Sequence, residues 1–146
     1  MPLAQALRRR YSQRMIAAIA TGFGALAALL HVYIFLMESV QWTQPRTWKR
    51  FGVADQAAAD ITKPMAYNQG FYNLFLAIGV VLGIVLFWVG EPGTAADVAG
   101  RTLVLFSLGS MAAAAMVLVT SGRKYIRAAL TQGTLPLIGF VLFLFA

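Results

Sequence analysis

Long uncharged stretches alternate along this chain with short segments that collect nearly all of its charge. The first stretch, residues 15–37, runs for 23 positions without a formal charge. At about 1.5 Å rise per residue it would span roughly 34 Å as a helix, enough to cross a bilayer. It follows a basic opening that holds Arg8, Arg9, Arg10 and Arg14 and no acid. A basic start before an apolar run also fits a signal peptide, but this run is too long for one, and the polar residues in its second half favour a retained helix. Residues 71–89, 102–120 and 128–146 form three further runs of 19 positions each, just sufficient to span. The second extends back to Pro64, since proline is tolerated in a first helical turn, and it stops at Gly90, Pro92 and Gly93. The third ends at Ser121 and Gly122, ahead of Arg123, Lys124 and Arg127.

Helices in lipid gain little by burying apolar surface against one another, so they associate where small residues let backbones approach. Gly24 with Ala28, Gly79 with Gly83, and Gly109 with Ala113 supply such pairs four apart, and Gly79 with Gly83 is the most specific of them. The expected fold class is therefore all-α: an integral membrane four-helix bundle. Its organisation is a basic N-terminal tail over residues 1–14, followed by one transmembrane domain over residues 15–146 with a long first loop, residues 38–70. Within that loop Trp42, Trp48 and Phe51 stand beside Arg46, Lys49 and Arg50, a mixture suited to the headgroup layer. Residues 52–62 fit either a short interfacial helix, with Val53, Ala54, Ala57, Ala58 and Ile61 as its apolar stripe, or an exposed loop.

Composition supports this picture: of 146 residues, 60% are hydrophobic and 12% charged, too few charges for the surface of a water-soluble domain. The net charge of +7 arises from 12 Lys and Arg against 5 Asp and Glu, set beside helix ends, and reads as headgroup contact. Nucleic acid is not expected as a partner, because no soluble scaffold carries a basic face. With no cysteine there is no disulfide, thiol redox couple, iron–sulfur cluster or thiolate zinc site. Orientation is undetermined: the N-terminal tail and second loop carry five cations, the first and third loops seven.

Two groups of side chains can carry chemistry. His31 and Glu38 lie seven apart at the exit of the first helix, nearly on one face. Ionisable groups in a membrane segment cost free energy unless they face protein, water or a partner, which makes them functional candidates; snorkelling for Glu38 and an interhelical hydrogen bond for His31 are the structural alternatives. The other group is Tyr67, Asn68, Gln69, Tyr72 and Asn73 at the start of the second span, two polar stripes at i, i+4 spacing. If the first two helices lie antiparallel, His31, Glu38, Trp42, Asn68, Gln69 and Asn73 converge on one rim, with Tyr72 beside them. Asn and Gln that merely knit helices together would explain much of the same pattern. Gln132, near Thr131, Thr134 and Pro136 in the fourth span, is a lesser candidate. One histidine cannot make a bis-histidine haem site, and one histidine with one carboxylate is too few for zinc, so no metal or cofactor is expected. Ser107 and Ser110 lack a partner that would make either a nucleophile.

The elements His31-Val-Tyr33, Glu38, Trp42 with Pro45, Lys49 with Phe51, and Asn68-Gln69-Gly70-Phe-Tyr72-Asn73 together resemble a family of small bacterial membrane proteins catalogued as domain of unknown function 1304. The likeness covers most of the chain after the N-terminal tail. It implies a four-helix, multi-pass protein of the bacterial inner membrane, draws attention to the polar rim, and implies no activity, cofactor or substrate.

Three functions remain in view. The preferred one is binding or transport, in which the polar rim takes a small molecule or passes protons through His31 and Glu38. The second is a membrane-embedded enzyme, an isomerase-like proton shuttle acting on a lipid-soluble substrate, with Asn68 and Asn73 steadying developing charge and Trp42 stacking nearby. The third is a structural subunit without chemistry. The partners expected are the lipid bilayer and an apolar or small-molecule ligand, and a homo-oligomer is compatible with the sequence.

Overall fold

The structure is a computed structural model that describes residues 3–146. Helix α1 covers Leu3–Phe35 and passes directly into a π-helical turn, Leu36–Val40. A short helix α2, Pro45–Arg50, precedes α3, Gln56–Val89, and α4, Ala95–Thr120. A 3-10 turn at Arg123–Tyr125 leads into α5, Ile126–Phe143. Four of these segments are long and apolar enough to cross a membrane, and no strand occurs among the described residues.

The four long helices pack as a bundle in which α1 and α4 stand diagonally opposed, each flanked by α3 and α5. Two hydrogen bonds mark the antiparallel pairing of α1 with α3: Trp88 Nε1 donates to Thr21 Oγ1 at 2.9 Å at one end, and Ser39 Oγ donates to the Tyr67 carbonyl at 2.8 Å at the other. The centre is built from small and medium side chains, including Ala20, Ala27, Ala28, Val80, Val104, Leu108 and Met111. The outer surface is the more strongly apolar one: Leu29, Phe75, Phe106 and Val117 are all at least half exposed. That inversion suits a protein whose outer solvent is hydrocarbon.

Close packing of α3 against α4 depends on glycine. A Cβ on Gly83 would lie 2.8 Å from the Val104 nitrogen and 2.9 Å from the Gly100 oxygen. One on Gly100 would lie 2.8 Å from the Gly83 oxygen and collide with the Phe87 nitrogen. Gly79 meets Ser107 in the same seam, so the expected Gly79 and Gly83 pair is an interface, and Gly100 is its unforeseen counterpart. Gly109 approaches only the Phe140 side chain, and Ala113 is exposed.

Several boundaries differ from expectation. Helix α1 begins at Leu3, so arginines 8, 9, 10 and 14 ride on a continuous helix, exposed, where a separate tail was expected. The loop expected over residues 38–70 shrinks to residues 41–55, itself containing α2. Helix α3 starts eight residues before Pro64, because Asp55 caps it by accepting the Ala58 amide at 2.8 Å. Pro64 therefore lies inside the helix; the carbonyl deprived of its partner is that of Asp60, an exposed residue where water can serve. Similarly α4 begins at Ala95, with Thr94 as its cap.

Candidate functional site

The site sits where α1 ends. The π-helical turn is closed by the Gln41 amide donating to the Leu36 carbonyl at 2.9 Å, a five-residue step that breaks the α-helical register. Glu38 occupies its middle and is 9% exposed. The turn presses closely on α3 because Gly70 has no side chain: a Cβ there would lie 3.1 Å from both Glu38 Cβ and the Ser39 nitrogen, and would collide with Ser39 Oγ. Ser39 in turn anchors to the Tyr67 carbonyl. Two aromatic contacts extend the seam, Phe35 with Phe71 at 5.1 Å and Tyr67 with Phe71 at 4.9 Å between ring centroids.

This approach brings the Glu38 carboxylate within reach of α3. Asn73 Nδ2 donates to Glu38 Oε2 at 3.0 Å, and also to its own helix at the Gln69 carbonyl, 3.1 Å. Above Glu38 an open groove of about 290 Å³ is lined by Glu38, Trp42, Val53, Thr62, Met65, Ala66 and Gln69. The segment after the π-turn forms its outer wall. Trp42 Nε1 donates to the Ala59 carbonyl at 2.9 Å, Trp42 packs on Phe51 at 5.2 Å, and Trp48 Nε1 donates to Gln56 Oε1 at 3.2 Å. Arg50 folds back toward α1, donating to Tyr33 Oη at 2.8 Å and reaching Met37 Sδ at 3.5 Å.

Of the residues singled out from sequence, Glu38, Trp42, Gln69 and Asn73 are thus brought together. Asn68 and Tyr72 are not: both are exposed, and neither lines the groove. His31 is 3% exposed and lies on α1, about two turns deeper than Glu38. Its Nδ1 lies 2.9 Å from the Ala27 carbonyl oxygen. A carbonyl can only accept, so Nδ1 carries a hydrogen and the ring is tied to its own helix, away from Glu38. Gln132 is half-buried in α5 and likewise does not line the groove. Ser107 packs against Gly79.

Sequence reasoning missed Thr62, Met65 and Ala66, together with the supporting pair Ser39 and Gly70. The signal was present. With α3 capped by Asp55 and starting at Gln56, Thr62, Ala66, Gln69 and Asn73 fall at i, i+4, i+7 and i+11, one continuous helix face.

A second, wholly apolar groove of about 180 Å³ lies between α1 and α3, lined by Val32, Ala77, Ile78, Val81 and Leu82. Among the described residues no cluster of His, Asp and Glu could hold a metal ion. At the opposite end of the bundle Arg101 pairs with Asp97 at 2.9 Å and lies over the Phe87 ring at 4.7 Å, while Asp97 accepts the Gly93 amide at 2.9 Å. These contacts tie the α3–α4 turn.

Four apolar helices around a small-residue core, with Glu38 let into one end of the bundle, define a multi-pass membrane protein. The family described as protein of unknown function DUF1304 matches residues 25–144, and the chain belongs to that family. The match includes the whole groove and leaves the arginine-bearing start of α1 outside it. No curated protein and no solved structure matches the chain.

Proposed function

We propose that the protein binds a small molecule in the Glu38 groove and serves its uptake, release or transfer at the membrane surface. The observation that carries this reading is the state of Glu38. It is a nearly buried carboxyl, held by an amide and without a cationic partner among the described residues, and it faces an opening. Burial of such a group is costly unless something repays it, and a functional group in an otherwise apolar segment is the usual reason for tolerating that cost. The π-helical turn around it adds support, since such irregularities recur at functional sites.

Two features favour binding or transport over proton-shuttle chemistry. Among the described residues Glu38 is the one titratable side chain lining the groove, whereas moving a proton between two substrate positions calls for an acid and a base within reach. His31, the natural second member, is bonded to its own helix. The same bond argues against a His31–Glu38 proton relay. The setting is the bacterial inner membrane that the resemblance implies.

The test is an untargeted comparison of lipids and metabolites, in cells and medium, between a deletion strain and strains complemented with wild type or Glu38→Ala at matched membrane levels. Binding and transport predict that one class of molecule shifts between compartments, restored by wild type and not by Glu38→Ala. A precursor accumulating as its product disappears would make the protein an enzyme. Equal rescue by Glu38→Ala would reduce it to a structural subunit.

A further inference from the structure

Resting on that reading, we infer that the groove selects a small organic cation with an apolar body. The argument begins with what the rim does with its positive charges. This end of the bundle is rich in Lys and Arg, yet none of those described lines the groove. Each cation of residues 41–55 is engaged elsewhere: Arg46 Nε donates to Gln44 Oε1 at 2.9 Å, Lys49 Nζ lies 5.4 Å over the Trp48 ring, and Arg50 reaches back to Tyr33 and Met37. The acids nearby are also occupied, Asp55 as the cap of α3 and Asp60 as acceptor from Gln56 Nε2 at 2.9 Å. Among the described residues Glu38 has no cationic partner either, but it differs from Asp55 and Asp60 in burial: those two are exposed, so water screens them, whereas Glu38 is nearly buried and must find its counter-charge in the groove.

An anion is therefore disfavoured, because it would meet Glu38 with no Lys or Arg to bind it. A purely apolar molecule would leave the carboxylate unpaired and dehydrated. A cation supplies what is missing. Trp42 contributes an indole to the wall, and aromatic rings attract cations that have lost part of their water. Val53, Met65 and Ala66 provide the apolar remainder. At about 290 Å³ the groove lies at the small end of ligand sites, which run from about 300 to 1,000 Å³, so the cation should carry no more than a short apolar group.

The experiment uses the full chain in nanodiscs of zwitterionic lipid, titrated calorimetrically with three probes of matched shape: benzyltrimethylammonium, its neutral isostere neopentylbenzene, and the anion phenylmethanesulfonate, each against empty nanodiscs. The expected result is single-site binding of the ammonium at least tenfold tighter than its neutral isostere, with no binding of the sulfonate. Glu38→Gln, which keeps the shape and the Asn73 contact, should remove the preference from both sides, weakening the ammonium and strengthening neopentylbenzene, because the carboxylate that the neutral probe leaves unpaired is gone. Thr62→Lys, placing a tethered ammonium in the groove wall, should block the probe by a route that leaves Glu38 intact. If the neutral isostere binds as tightly as the cation, or if the preference survives Glu38→Gln, the cation assignment is wrong and the groove remains a binding site. If no probe binds, or if Thr62→Lys leaves ammonium binding unchanged, the groove itself fails as the site and the functional proposal fails with it.

Discussion

Gly70→Ala is the substitution that most directly probes how the site is held. The added Cβ would collide with Ser39 Oγ and stand 3.1 Å from both the Ser39 nitrogen and Glu38 Cβ, so the π-turn must move away from α3. Three contributions set the size of the effect. Overpacking of this kind costs about 1–3 kcal/mol. Displacing the Ser39 hydroxyl from the Tyr67 carbonyl removes a hydrogen bond of 2.8 Å, worth about 0.5–1.5 kcal/mol. Against these, alanine is the better helix former by up to about 1 kcal/mol. The balance is a destabilisation of about 1–3 kcal/mol. A double-mutant cycle isolates the mechanism. Ser39→Ala alone should cost about 1 kcal/mol through the lost bond. Combined with Gly70→Ala it should cost less than the sum, because the worst collision is gone, with the two 3.1 Å contacts making the rescue partial. The assay is reversible unfolding in mixed detergent micelles, followed by tryptophan fluorescence and helical circular dichroism. A neutral Gly70→Ala, or strict additivity of the two substitutions, would refute the proposed contact between the π-turn and α3.

Other consequences can be measured in the same system. Gly100→Ala forces α3 and α4 apart at the backbone and should cost about 1–3 kcal/mol, whereas Gly22→Ala, with nothing within 4 Å of the new Cβ, should be neutral or stabilising. Trp42→Phe keeps an aromatic ring but abandons the Ala59 carbonyl, so a loss of about 1 kcal/mol is expected, with faster amide exchange over residues 41–55 by mass spectrometry. Arg101→Met removes a charge-assisted bond to Asp97 and the cation over Phe87; thermal unfolding should show a loss of about 1–3 kcal/mol without any change in ligand binding at the distant groove.

The spans were legible because each depends on one property, an uncharged run long enough to cross hydrocarbon, which residues 71–89 and 102–120 display without ambiguity. Helix starts were less legible, since they depend on single caps. Asp55 and Thr94 each accept a backbone amide three residues on, and overlooking them shortened α3 and α4. The meeting of Glu38 with Asn73 and Gln69 followed from antiparallel geometry and i, i+4 spacing. The π-turn could not be read at all, because no residue type demands one; it arises from how Leu36–Val40 settles against Gly70. His31 shows the converse limit. It was expected to join Glu38 on one rim, yet it does not line the groove, and the choice between bonding its own helix and reaching across the bundle is made by a ring torsion that spacing does not specify.

The length of α3 has one more implication. Its 34 residues measure about 51 Å, against roughly 30 Å of hydrocarbon, while its most apolar part, residues 71–89, accounts for about 28 Å. The surplus of roughly 20 Å is therefore the N-terminal half, Gln56 onward, which also forms one wall of the groove. Glu38 is consequently stationed at the waterline, where an amphiphile can arrive by lateral diffusion from the leaflet or by collision from the aqueous phase.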